Sequence, residues 1–214
     1  VERSRGLGDV YKRQMVENAY YVPGHTDGIH ETSLGRVGTA VCWELIRTQT
    51  LRRLAGKIDF AMTGTHWWTT AENWTVWKDY FANADRENRD MYQHVASDFS
   101  KYLGVANIHA SHCGKVQGKL ALLPGRLWDV DGGTSLLGQT QIVDKQGNVL
   151  KRMTAEDGPG VIVADLDLSP TAPSLSTPDR FWLPELTPVQ KMSWKHQNFV
   201  CKGIYKRAKR QGRF

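Results

Sequence analysis

Residues 35–47, Gly-Arg-Val-Gly-Thr-Ala-Val-Cys-Trp-Glu-Leu-Ile-Arg, leave the chain few ways to fold. Val37, Ala40 and Val41, with small residues between them, predict a short buried strand. From Leu45 to Lys57 the apolar side chains Leu45, Ile46, Leu51, Leu54 and Ala55 recur at near-helical spacing, and Gly56 falls close to the end. Ile58 to Thr63 predicts the next strand. Cys42 stands at the first junction, where a thiol would face the first amides of a helix and the helix dipole favours thiolate. This is a strand–helix–strand unit with a cysteine at its carboxyl edge, where open α/β sheets collect their ligands and nucleophiles.

The surrounding chain reads in segments. Tyr21 to Ser33, rich in Gly, Pro, Asp and Thr, is a predicted loop. Its His25, Asp27, His30 and Glu31 have no ligand-spaced partner motif elsewhere, so they read as solvated side chains and no metal is expected. Gly64 to Asn73 is an aromatic loop at the same sheet edge as Cys42. Its His66 and Trp67 either line a substrate pocket or, for the tryptophan, pack in the core. Asn73 to Leu103 predicts a helix with one stripe at Trp74, Trp77, Tyr80, Phe81 and Ala84 and another at Met91, Val95, Phe99 and Tyr102. Gly104 to Ala110 is a strand. His109, His112 and Cys113 match no common zinc spacing, so His109 is expected to be structural. Gly114 to Thr134 reads as a long loop walling the pocket, and Gln141 to Arg152 as a hairpin turning at Asp144 to Gly147. Val161 to Leu168 is the last predicted strand. Pro170, Pro173, Pro178, Pro184 and Pro188 then mark an extended arm crossing a surface, followed by a frayed or partner-bound basic tail.

Charge separates the body from its ends. Lys191 to Phe214 carries +8 without an acid, and Val1 to Gln14 carries +2; set against a net charge of +6, residues 15–190 hold −4. A basic tail on an acidic body gives no reason to expect a nucleic-acid partner. Three widely separated cysteines do not make a disulfide framework, so a reducing, cytoplasmic setting is expected. No apolar run approaches the ~18 residues that span a bilayer, and no signal-peptide pattern opens the chain, so no membrane association is expected. Eight tryptophans and 40% apolar residues indicate a globular protein of one main domain.

The segment from Arg36 to Glu44, the basic helix after it and the apolar strand ending at Gly64-Thr-His-Trp67 resemble the nucleophile region of the carbon–nitrogen hydrolase (nitrilase) superfamily. The Cys42-Trp43-Glu44 triplet leans toward its nitrilase and aliphatic amidase branches. His109 to Gly114, Gly138 to Leu150 and Gly160 to Leu168 resemble its later strands, so the likeness runs in order from about Met15 to Leu168. It implies an α/β fold, the α-β-β-α sandwich of the carbon–nitrogen hydrolase type, with the N-terminal part missing. The nucleophile normally comes past the middle of the domain and here is residue 42. Truncated sheets would leave open edges and exposed apolar surface. The expected organisation is a non-native stretch at 1–14, resembling sequencing-adapter read-through, a truncated hydrolase domain at 15–168 and a Pro-rich arm with basic tail at 169–214.

The resemblance also implies chemistry. Cys42 is the nucleophile that attacks a nitrile or amide carbon, releases ammonia or an amine and forms a thioester that water hydrolyses. Trp43 contributes a backbone amide to the oxyanion site. Glu17 is the glutamate that closes the family's Lys-x-x-Pro-Thr-x-x-Glu pattern. That register puts the lysine at Val10 and the Pro and Thr at Arg13 and Gln14, with Lys12 two residues out of step. The family's general-base glutamate has no counterpart in the sequence. Missing base and lysine would slow turnover by orders of magnitude. No cofactor is implied. The implied partners are a small nitrile or amide and further copies of the chain, since members of the family pair through their sandwiches. The alternative from another class is a catalytically dead interaction protein with an anion-binding basic tail.

Overall fold

A computed structural model describes residues 27–70, 72, 78–121, 123 and 129–212. Eight strands and three α-helices form there, in an α/β arrangement. They are β1 (Ile29–Thr32), β2 (Gly35–Val41), α1 (Thr48–Leu54), β3 (Phe60–Thr65), α2 (Lys78–Leu103), β4 (Ala106–Ser111), β5 (Cys113–Ala121), β6 (Asp129–Leu137), β7 (Thr140–Val143), β8 (Val149–Met153) and α3 (Pro188–Arg210). Six strands make one sheet in the order β1-β2-β3-β4-β7-β8; β5 and β6 pair apart from it.

The sheet's centre is parallel because helices return the chain between strands. Val41 pairs with Gly64, and Gly64 with Ala110, so β2, β3 and β4 all end at one edge. β7 and β8 add on antiparallel, joined by the predicted hairpin: the Asp144 carboxylate accepts from the amides of Gln146 and Asn148 at 2.9 and 2.8 Å. Alternation along the strands turns Ala40, Ala61, Thr63, Asn107 and His109 to one face. Helices α1 and α2 cover that face with Leu51, Leu54, Tyr92, Val95 and Phe99, all buried, which makes the main core. The second predicted stripe of α2 therefore faces inward. Of the first, Trp74 and Trp77 lie outside the described residues, and Ala84 is buried. The other face of the sheet is partly open, with Met62 50% and Ile108 38% exposed.

Four expectations change. The end of the predicted loop at 21–33 is strand β1, hydrogen-bonded to β2 through Thr32 and Gly35. The long loop at 114–134 contains most of the β5–β6 ribbon, in register from Cys113 opposite Leu137 to Ala121 opposite Asp129. Residues 114–119 of β5 are exposed throughout, so no apolar alternation marks the ribbon. Residues 161–168 form no strand: Val161 is 87% and Val163 79% exposed, and no ladder joins the segment to the described strands. The basic end is helix α3, started by Thr187, whose hydroxyl accepts from the Gln190 amide while the Gln190 side chain accepts from the Thr187 amide.

The Pro-rich arm does cross a surface. Thr171 N–H donates to the Gly104 carbonyl at 2.8 Å and Ser174 N–H to Lys101 at 2.9 Å. A Cβ at Gly104 would sit 2.1 Å from the Thr171 carbonyl oxygen, and its φ of +67° suits glycine, so only glycine lets the arm lie this close. Among the described residues no helix is long and apolar enough to cross a membrane.

Candidate active site

Where β2 ends, the backbone turns abruptly. Cys42 has φ +54°, the only positive φ at a non-glycine residue among those described. L-residues avoid this region because Cβ crowds the following carbonyl, and such strain gathers at functional positions. The predicted long helix is broken: residues Cys42–Ile46 form a 3-10 turn, Arg47 is extended, and α1 begins at Thr48. Cys42 therefore opens a single 3-10 turn and not a full helix.

That turn is held from three sides. The buried Glu44 carboxylate accepts from the Val41 amide at 2.9 Å, which ties the turn back to its strand. Trp43 stacks on Trp67 with ring centres 5.8 Å apart and meets Trp182 edge-on at 5.5 Å. Residues 180–183 close over the back: Leu183 N–H donates to the Ile46 carbonyl at 2.9 Å, Arg47 bridges Trp182, and the Thr48 hydroxyl donates to the Arg180 carbonyl at 2.6 Å. Sequence reading passed over this clasp. Its signal was the apolar triplet Phe181-Trp182-Leu183 inside a proline-rich stretch.

Trp67 is buried, and its indole N–H donates to Asn88 Oδ1 at 2.8 Å. It lies between Trp43 and Tyr92, 5.0 Å from the tyrosine ring, which are the contacts of a core residue. His66 is exposed as a residue, yet desolvation of its ring, followed by the nearby charge of His112, holds its pKa below the ordinary value. Glu17 lies outside the described residues, as do Val10 and Lys12. Among the described residues no group of three or more His, Cys, Asp or Glu is placed to hold a metal.

Beneath the sheet edge a buried polar chain runs inward. The Thr63 hydroxyl donates to Asn107 Oδ1 at 2.9 Å, so its oxygen accepts from His109 Nδ1–H at 2.8 Å. His109 Nε2 lies 3.3 Å from Thr65 Oγ1, whose hydroxyl donates to Ser111 Oγ at 3.2 Å; Thr65 also meets the Tyr92 hydroxyl, which lies 2.5 Å from Ser111 Oγ. Burial is the chief cause that raises the Tyr92 pKa, opposed by its bonds to Ser111 and Thr65; a charge on Cys42 pushes it the same way as burial.

Burial also drives the His109 pKa down to about 4 from 6.5, so the imidazole is neutral in the fold. The unfolded chain takes up this proton first, so folding stability is whole above about pH 6.5 and falls as pH drops toward 4. The shift is on the order of 3 kcal/mol by pH 4. Urea titrations between these limits are expected to show this loss, and His109→Asn to flatten its slope; an unchanged slope in the variant overturns the assignment.

The family profile described as "Carbon-nitrogen hydrolase" matches residues 8–173, beginning within the stretch at 1–14 that sequence reading set aside. A carbon–nitrogen hydrolase from Helicobacter pylori G27 superposes with a TM-score of 0.52 at 18% identity, over 70% of this chain and 46% of that one. A mutant amidase from Nesterenkonia sp. AN1, solved with the acetamide moiety of fluoroacetamide on its active-site cysteine, gives 0.43 at 16% identity, over 69% and 45%. No curated protein sequence matches the chain. The chain spans just under half the length of the solved structures it resembles. With the profile covering most of its residues, from before β1 to the arm that follows β8, the chain belongs to the carbon–nitrogen hydrolase family.

Proposed function

We propose that the chain carries the nucleophile half of an enzyme that hydrolyses a non-peptide carbon–nitrogen bond, with Cys42 as the attacking group. The observation that supports this most is the strained Cys42 backbone at the carboxyl end of parallel β2, inside the residues matched by the family. In this reading the Cys42 sulfur attacks the carbonyl carbon of an amide. The C–N bond breaks, the nitrogen takes a proton and leaves as ammonia or an amine, and a thioester remains on the sulfur. Water then attacks the thioester, giving the carboxylic acid and the free thiol. A nitrile reaches the same thioester after one added water. The first amides of a helical turn lack intrahelical acceptors, so the Trp43 N–H is the donor assigned to the developing oxyanion. Glu17 is the accessory carboxylate, and His66 stands at the rim of the substrate pocket. Trp67 serves the pocket by holding the Trp43 ring.

Intact-mass labelling with iodoacetamide at pH 7 tests the assignment. One fast modification is expected, absent in Cys42→Ala, while half-buried Cys113 and buried Cys201 react slowly. Labelling of Cys42 no faster than Cys113 overturns it.

A further inference from the structure

Five aromatic rings follow one another past the Cys42 turn. Trp194 of α3 meets Trp182 edge-on at 5.4 Å, and Trp182 meets Trp43 edge-on at 5.5 Å. Trp43 stacks on Trp67 at 5.8 Å, and Trp67 lies 5.0 Å from Tyr92 of α2. Aromatic pairs at these spacings favour defined edge-to-face or offset geometries, so each ring restricts the tilt of the next. Trp43, the residue after Cys42, is the middle ring. Trp67 and Tyr92 hold it from within the residues that the family profile matches, whereas Trp182 and Trp194 lie beyond residue 173, where that match ends.

Trp182 grips the backbone as well as the ring. Arg47, which ends the 3-10 turn, pairs with Trp182 in an isolated bridge, and its guanidinium carbon stands 5.8 Å from the centre of the Trp182 ring. The segment that makes these contacts is braced in turn: the Arg180 guanidinium donates to the carbonyls of Trp182 and Leu183 at 3.0 and 2.7 Å. Trp182 therefore reaches both ends of the turn, Trp43 near its start and Arg47 at its close.

We propose that Trp182 is a positioning residue for Cys42. By fixing Trp43 on one side and Arg47 on the other, it holds the cysteine at its positive φ and the Trp43 N–H in its place beside the sulfur's target. This role presupposes Cys42 as the nucleophile. Two observations favour it over packing alone. Trp182 is half-buried, while its neighbours in sequence Leu183 and Leu186 are the residues of this segment that close the core. A strained φ also persists only where its surroundings over-determine it. The Glu44–Val41 bond secures the start of the turn, and residues 180–183 secure its end.

The pH profile of Cys42 labelling by iodoacetamide tests it, with Cys113 as the internal reference. The wild-type midpoint is expected below the ~8.5 of an ordinary thiol. In Trp182→Ala it is expected to rise toward that value, and labelling at pH 7 to slow at least about tenfold as the thiolate fraction falls. Trp182→Phe restores a ring against Trp43 and is expected to recover most of the rate. Leu103→Ala removes a buried core side chain just before β4, at the opposite edge of the sheet. It is expected to lower the urea midpoint at least as far and to leave the Cys42 profile in place. Thr48→Val removes the donation to the Arg180 carbonyl but keeps Trp182, and is expected to slow Cys42 in the same direction, so the test stands even if Trp182→Ala does not fold. A fast wild type whose profile neither Trp182→Ala nor Thr48→Val moves overturns the role of Trp182 and leaves the nucleophile assignment intact. An equal shift in Leu103→Ala also overturns it, because lost stability would then explain the effect. A wild-type Cys42 no faster than Cys113 overturns both.

Discussion

Cys42→Gly is expected to melt about 2–4 °C higher than wild type and to form no covalent adduct with a small amide or an activated ester. The first effect follows from the backbone. At φ +54° an L-residue carries about 1 kcal/mol or more of steric cost that glycine does not. In a chain of this length each kcal/mol moves the midpoint by about that interval. Cys42→Ala keeps the Cβ and so the strain, and is expected to melt near wild type while losing the adduct as completely. Scanning calorimetry of the pair separates strain from chemistry. A glycine variant no more stable than the alanine variant would mean that the turn stores no strain at this residue. Stability rising as function is lost is the mark of a position kept for what it does rather than for what it holds together.

Trp67→Ala is expected to cost about 3–5 kcal/mol, a large share of the ~5–15 kcal/mol typical of whole domains. The residue is 2% exposed and wedged between Trp43 and Tyr92, so its removal leaves a cavity directly behind the Cys42 turn. The chain that remains folded is expected to label at Cys42 more slowly, because the Trp43 ring loses the surface that fixes it. Trp67→Phe keeps much of the apolar contact but leaves Asn88 Oδ1 without its donor, at about 1–3 kcal/mol. Urea midpoints rank the three proteins. A cost below about 1 kcal/mol for the alanine variant would move Trp67 out of the core and into an open pocket wall.

What the sequence made legible follows from how locally each feature is encoded. β2, β3 and β4 announce themselves as short apolar runs between turn residues, and the position of Cys42 at the end of β2 follows from where that run stops. The hairpin at 141–152 is written in its own turn residues. The break between Cys42–Ile46 and α1 is not, because the apolar spacing continues across Arg47 while residues 180–183 pull that residue into a bridge. The β5–β6 ribbon, exposed along β5 and rich in glycine, has the composition of a loop. The opposite error at Val161 to Leu168 has the same root: alternation is local, but a strand exists only when a second strand hydrogen-bonds to it. For α3 the local signal was present in Thr187-Pro188-Val189-Gln190, a capping box with proline at the first helical position, and the density of charge after it obscured it. Of the candidate site, the position of Cys42 at the end of β2 was legible and the clasp behind its turn was not.

The clasp also sets an order of events during synthesis. The turn around Cys42 leans on residues 180–183, and the Thr48 hydroxyl reaches its acceptor at Arg180 across 132 positions of chain. On a ribosome adding about 5–20 residues each second, β2 and the turn that follows it emerge many seconds before the segment that secures them. The cysteine is therefore among the first parts of the described chain to be made and among the last to be fixed in place. Until then the Glu44 carboxylate and the Trp43–Trp67 stack hold the turn without its clasp.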